Sequence, residues 1–181
     1  MTRHDIQSGE RGADGEGQQA GGAPATAHEG HGGTTDAEIA HIAYTAGVLD
    51  IAAARQALAK SRNPDVRSFA EVMVRDHEAV NGLALDLVKK LGVTPADNST
   101  SAALSAQAAA TEKRLGALSG TAFDRAYAEN EAAYHKAVNA ALGSTLIPSA
   151  DNAELKALLE TGLKLFTEHQ QHAEHLATQV K

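Results

Sequence analysis

The amino-acid sequence predicts an all-α protein: an antiparallel four-helix bundle with an accessory helical segment and a disordered N-terminal tail. Three observations predict it. Alanine supplies much of the 43% hydrophobic content while aromatic residues make up only 3%, which favours closely packed helices over sheets of β-branched and aromatic side chains. Apolar residues recur at intervals of three and four along four long stretches. Proline-bearing polar segments separate those stretches, at Pro64, Pro95 and Pro148.

Residues 1–33 hold Gly, Ala, Gln, Ser and acidic residues, with Ile6 as the one large apolar side chain beyond Met1. Such a segment buries too little surface to offset the entropy of ordering, so it is expected to be a disordered tail. Residues 34–181 are expected to be the bundle. Its first helix opens near Thr34-Thr35-Asp36, where a hydroxyl or carboxylate accepts from free amides, and its face reads Ile39, Ile42, Ala46, Asp50, Ala53 and Ala57. Asn63-Pro64-Asp65 ends it and opens the second helix, whose stripe runs Val66, Phe69, Met73, His77, Val80 and Leu87 to Gly92. So short a connection makes the two antiparallel neighbours.

A polar crossover from Val93 to Ser101 leads into a weaker, Ala-rich helical pattern through Leu104, Ala108 and Leu115, ending at Ser119-Gly120. The third strong stripe follows, with Phe123, Tyr127, Glu131, Tyr134, Val138 and Leu142. Gly143 to Asn152 reads as a loop, from which Ser149 or Asp151 caps the last helix. That helix presents Leu155, Leu159, Phe166, His169, His172 and Leu176 on its buried face.

Composition excludes several functions. Without cysteine there is no disulfide, thiolate metal site or iron–sulfur cluster. A formal net charge of −7 argues against nucleic-acid phosphates and anionic lipid as partners. No run approaches the roughly 18 apolar residues of a membrane span, and the chain as it starts lacks the apolar core of a secretory signal. A cytoplasmic location is therefore expected, or a periplasmic or exported one if the true start lies upstream. A homo-oligomer is compatible with such a bundle. There is no phosphate-binding Gly-rich loop, no G-x-S-x-G elbow and no H-E-x-x-H, so no catalytic set is read.

The informative residues are polar ones on apolar stripes, because each needs a hydrogen bond, a counter-charge or a metal once buried. They are Asp50, His77, Glu131, His135, His169 and His172. Glu131 and His135 stand four apart and His169 and His172 three apart, so each pair is expected to aim at one point. Drawn from four helices, the six suffice for one or two transition ions in the core, and the His-rich donor set suits zinc, iron, copper or nickel. Taken singly, each such His reads as a core residue with a hydrogen-bond partner. Tyr44, Tyr127 and Tyr134 read either as hydrogen-bonding supports of the ligands or as packing. Asp76 reads as a carboxylate orienting His77 or as a surface acid beside Arg75. His41 and His175 are expected at the surface, and His28 and His31 in the tail are treated as incidental.

Phe69-Ala70-Glu71-Val72-Met73-Val74-Arg75-Asp76-His77, the segment Leu118 to Tyr127, His135 downstream and His169 near the end together resemble the DUF4142 family of ferritin-like bacterial proteins. The resemblance implies a ferritin-like four-helix bundle from about Asp36 onward. It places His77, His135 and His169 where the family tends to carry His, and Asp50 where it tends to carry an acid. Glu131-x-x-x-His135 and His169-x-x-His172 depart from the paired Glu-x-x-His of di-iron ferritins, so ferroxidase chemistry does not follow. The expected function is binding of a transition ion in the core for storage, buffering or a stress role. The alternative is a non-catalytic stress or interaction protein whose core histidines only hydrogen-bond. Redox chemistry at a di-metal centre rests on fold analogy alone.

Overall fold

The computed structural model describes residues 34–180, and all regular structure among them is helical. The expected tail, with His28 and His31, lies outside the described residues. Five long helices, α1 (Asp36–Lys60), α2 (Pro64–Leu91), α3 (Ser99–Gly116), α4 (Gly120–Ala141) and α6 (Ala153–Gln179), are joined by short connections, with a one-turn α5 (Ile147–Ser149) before the last.

Local chemistry sets most boundaries. Thr35 and Glu38 form a reciprocal capping box at the start of α1. The Asn63 side chain accepts from the amides of Asp65 and Val66, with Pro64 in the first turn. Gly92 ends α2 at φ 65°, a left-handed conformation that suits a residue without Cβ. The loop expected from Gly143 onward is mostly helical instead: a π turn at Leu142–Leu146 runs directly into α5. Burying both Leu142 and Leu146 favours continuing the turn, and the Ser144 hydroxyl bonds back to the Ala140 carbonyl, 2.6 Å. The cap of α6 is Asn152, not Ser149 or Asp151, and the Asp36 carboxylate accepts from the amides of Asp151 and Asn152.

Contacts between helices give their directions. The Ala96 amide bonds to the Ala37 carbonyl ahead of α3, and Lys60 reaches the carbonyl of Gly116 at its end, so α3 runs beside α1 in the same sense. Lys60 also lies over the Phe123 ring near the start of α4, while the Tyr134 hydroxyl bonds to the Ala46 carbonyl; α4 therefore opposes α1. Lys90 at the end of α2 pairs with Glu154 at the start of α6, and Phe69 meets His172, so α2 opposes α6. By returning the chain to its far end, α3 allows α2 and α4 to run the same way.

Helices α1 and α2 pack along their lengths, as do α4 and α6, whereas α3 rests mainly on α1. The interior holds two apolar clusters. One contains Ala57, Phe69, Met73, Tyr127 and Leu176; the other contains Ile39, Ile42, Leu142, Leu159 and Phe166. Between them, α1, α2, α4 and α6 each place polar residues on the buried stripe: Asp50, His77, Glu131 with His135, and His169. A polar layer thus lies between the two apolar clusters. No helix among the described residues is long and apolar enough to cross a membrane.

Candidate metal centre

Each residue of the polar layer reaches it by its place in the helical repeat. Asp50 follows Ala46 and precedes Ala54 on the buried face of α1, and His77 continues the line from Phe69 and Met73 on α2. On α4, Tyr127, Glu131 and His135 are stacked one turn apart. On α6 the buried face runs Gly162, Phe166, His169, Ala173 and Leu176. Asp50, His77, Glu131, His135 and His169 are all at most 3% exposed.

Donor atoms converge there. His77, His135 and His169 each offer a ligand atom within 4.8 Å of the other two, and so do Asp50, Glu131 and His135. His135 belongs to both groups. Its Nδ1 lies 3.0 Å from the Glu131 carbonyl, which can only accept; Nδ1 therefore carries the proton and leaves the Nε2 lone pair facing inward. That Nε2 is 3.4 Å from His77 Nε2 and 4.0 Å from Asp50 Oδ2, and the latter two are 2.8 Å apart. A triangle with those sides has its centre about 2.0 Å from each corner, the bond length of zinc to nitrogen or carboxylate oxygen.

The groups leave bonding capacity unused. Neither oxygen of Asp50 or of Glu131 takes part in an aligned hydrogen bond, despite the short approach of Asp50 to His77, and His77 Nδ1 and His169 Nδ1 are equally without partners. Buried polar atoms in that condition are destabilising, and a cation among them would satisfy several at once.

Electrostatics favours the same species. Burial pushes Asp50 up, but the adjacent His77 ring and then His135 outweigh it and hold the carboxyl far below the usual carboxylate range. Burial and then the Asp50 charge push Glu131 well above the usual carboxylate range. Burial also lowers His135, and it pulls His169 down to about 4 despite the opposing Asp76 carboxylate. The layer thus favours neutral rings at His135 and His169, an ionised Asp50 and a Glu131 that resists ionisation. A proton on His169 favours the unfolded chain, whose ordinary value is 6.5. Stability from the neutral ring is full above about pH 6.5 and is lost as pH falls toward about 4. Urea titrations of chelator-treated protein across that window are expected to show the decline, and His169→Gln to make it shallower.

Asp76 supports His169, not His77. Its Oδ2 lies 3.0 Å from His169 Nε2, and its other oxygen takes the Arg75 guanidinium at 2.7 Å. Preceding His77 by one position, it points away from that ring and across to α6, a contact no local spacing reveals. Burial opposes its charge, but Arg75 and His169 prevail and keep its carboxyl low. With Nε2 held by Asp76, the Nδ1 of His169 is buried and free of any hydrogen-bond partner. Asp76→Asn is expected to keep the fold and weaken metal binding about 10- to 100-fold, as titration calorimetry would show.

His172 does not join the others. It is exposed, and its ring stands edge-on to Phe69 at 5.0 Å. The stripe of α6 steps from His169 to Ala173, so a residue three positions after His169 falls to one side of it. Among the tyrosines, Tyr127 is fully buried with an unpartnered hydroxyl, raised well above its usual range by burial and then by Glu131 and Asp50; Tyr134 bonds to the Ala46 carbonyl at 2.7 Å; and Tyr44 is half-buried. His41 is partly exposed beside Asp97 at 2.9 Å, and His175 is exposed.

Fold and site together define a class: all-helical proteins whose core is divided by a layer of buried imidazoles and carboxylates. The chain belongs to the family described as "Domain of unknown function (DUF4142)", whose model matches residues 21–176. No curated protein and no solved structure matches it.

Proposed function

We propose that this protein is a ferritin-like four-helix bundle, residues 34–181, that binds a transition metal ion in its core and serves in its storage or buffering or in a stress role. The observation that carries the reading is the convergence of three buried imidazoles, His77, His135 and His169, from three helices within 4.8 Å of one another. Asp50 and Glu131 supply the charge. A divalent ion would favour the ionised form of Glu131 and balance the charge of the two carboxylates, which suits a buried site. Nitrogen and oxygen donors without sulfur fit zinc, iron, copper or nickel better than magnesium or calcium. Bound there, such an ion supplies Lewis acidity or, for iron and copper, redox capacity. This chain's own residues fix the ring tautomers, hold the carboxylates and shield the centre between two apolar clusters.

The test is metal analysis and titration calorimetry on wild type, His77→Ala and His169→Ala. Stoichiometric binding that both substitutions weaken is expected; stoichiometric binding indifferent to both would refute the reading.

One observation favours a second reading. His77 approaches Asp50 at 2.8 Å and His169 approaches Asp76 at 3.0 Å, pairs that can persist without metal. A stress or interaction protein with only such contacts would keep its melting temperature on chelation, whereas an ion bound only to the folded state raises it by mass action.

A further inference from the structure

Beside the polar layer the interior holds a cavity of about 610 Å³. Protein interiors are ordinarily packed to the density of organic crystals, with few voids larger than a water molecule. This volume instead falls within the roughly 300–1,000 Å³ of small-molecule sites. Small residues line it, among them Ala46 and Ala53 of α1, Ala84 of α2 and Ala108 of α3, at positions where larger side chains would take up the space. Its apolar wall includes Val80, Leu104, Val138 and Leu159, and His77, Asp50 and Glu131 stand along one side. Exposed Gln107 of α3 and Ala133 and Ala137 of α4 also line it, which puts its mouth between those two helices.

The lining chooses among ligands. No Lys or Arg borders the cavity among the described residues, whereas the carboxylates of Asp50, Glu131 and Glu112 do. A buried anion would therefore find no Lys or Arg to pair with and the Asp50 charge set against it. The amides of Gln56, Asn81 and Asn130 offer uncharged hydrogen-bond partners. We infer that the cavity between α1, α3 and α4 binds an uncharged, largely apolar small molecule with one hydroxyl-like polar end, such as a long-chain alcohol. Donors of the metal centre, Asp50, His77, Glu131 and His135, form one wall of this site, but its apolar volume does not require the ion.

The neutral fluorophore N-phenyl-1-naphthylamine is a suitable probe, since the chain has no Trp to interfere. With full-length protein, both as purified and after chelator treatment, saturable fluorescence enhancement at one probe per chain is expected. Dodecanol should displace the probe, and dodecanoate should do so at least about tenfold more weakly on chelated protein. Ala108→Phe, which fills the cavity from α3, should lower probe affinity at least about tenfold while leaving metal stoichiometry unchanged. If that variant fails to fold, Ala84→Phe fills the space from α2. Non-saturable binding, affinity unaffected by a folded filling variant, or equal displacement by alcohol and carboxylate would overturn the inference. Because metal stoichiometry is read on the same samples, failure here and failure of the metal reading are separable.

Discussion

Replacing His135 with alanine is expected to reduce transition-metal affinity more than any other single substitution, by at least about 100-fold, exceeding the 10- to 100-fold typical of supporting residues. His135 is the one residue common to both groups of converging donors. Its Nε2 faces His77 and Asp50, and its Nδ1–H is fixed on the carbonyl of Glu131, one turn earlier in the same helix. Truncation therefore removes a pre-oriented donor from both groups, while losing His77 leaves the group of Asp50, Glu131 and His135 intact. The substitution also leaves a void and frees the Glu131 carbonyl, so the melting temperature of the metal-free protein should fall as well. Titration calorimetry beside thermal unfolding, both with and without metal, would separate the two effects.

The second large effect is on folding. Phe69→Ala should destabilise the protein by about 3–5 kcal/mol, a substantial fraction of the roughly 5–15 kcal/mol that holds a domain together. Phe69 is fully buried, its ring meets Tyr127 edge-on at 6.1 Å, and its other neighbour is the His172 ring at 5.0 Å. It thereby joins α2, α4 and α6 in the apolar cluster on the far side of the polar layer from Ile39. Alanine there loses the transferred area, the aromatic contacts and the fit of the surrounding side chains. Urea unfolding followed by circular dichroism would show a lower midpoint. Phe69→Leu, which keeps most of the volume, should recover much of the difference.

Much of this architecture was legible because helices write their buried faces at intervals of three and four. Pro64, Asn63 and Gly92 marked the α1–α2 connection and the end of α2 through chemistry local to the chain, and the structure uses them in those roles. The π turn at Leu142–Leu146 was hidden because Gly143 and Pro148 resemble a loop, while the burial that keeps it helical is tertiary. Within the site, Asp50, His77, Glu131, His135 and His169 stood out because each interrupts an apolar stripe. His172 was included on a three-residue spacing that looked equivalent to four; the packing of α6 shows that it is not. Asp76 pairs with a residue 93 positions away, and nothing in its neighbourhood indicated which ring it would orient. The cavity was invisible for a related reason: alanines read simply as helix formers until the facing helices show what they leave empty.

X-ray absorption at the metal edge of zinc-loaded protein tests the central claim most directly, because it counts the atoms around the ion. The expected spectrum shows two or three imidazoles at about 2.0–2.1 Å, and the imidazole count falls in His135→Ala. A shell of oxygens without imidazole, or a spectrum that His135→Ala leaves unchanged, would contradict it.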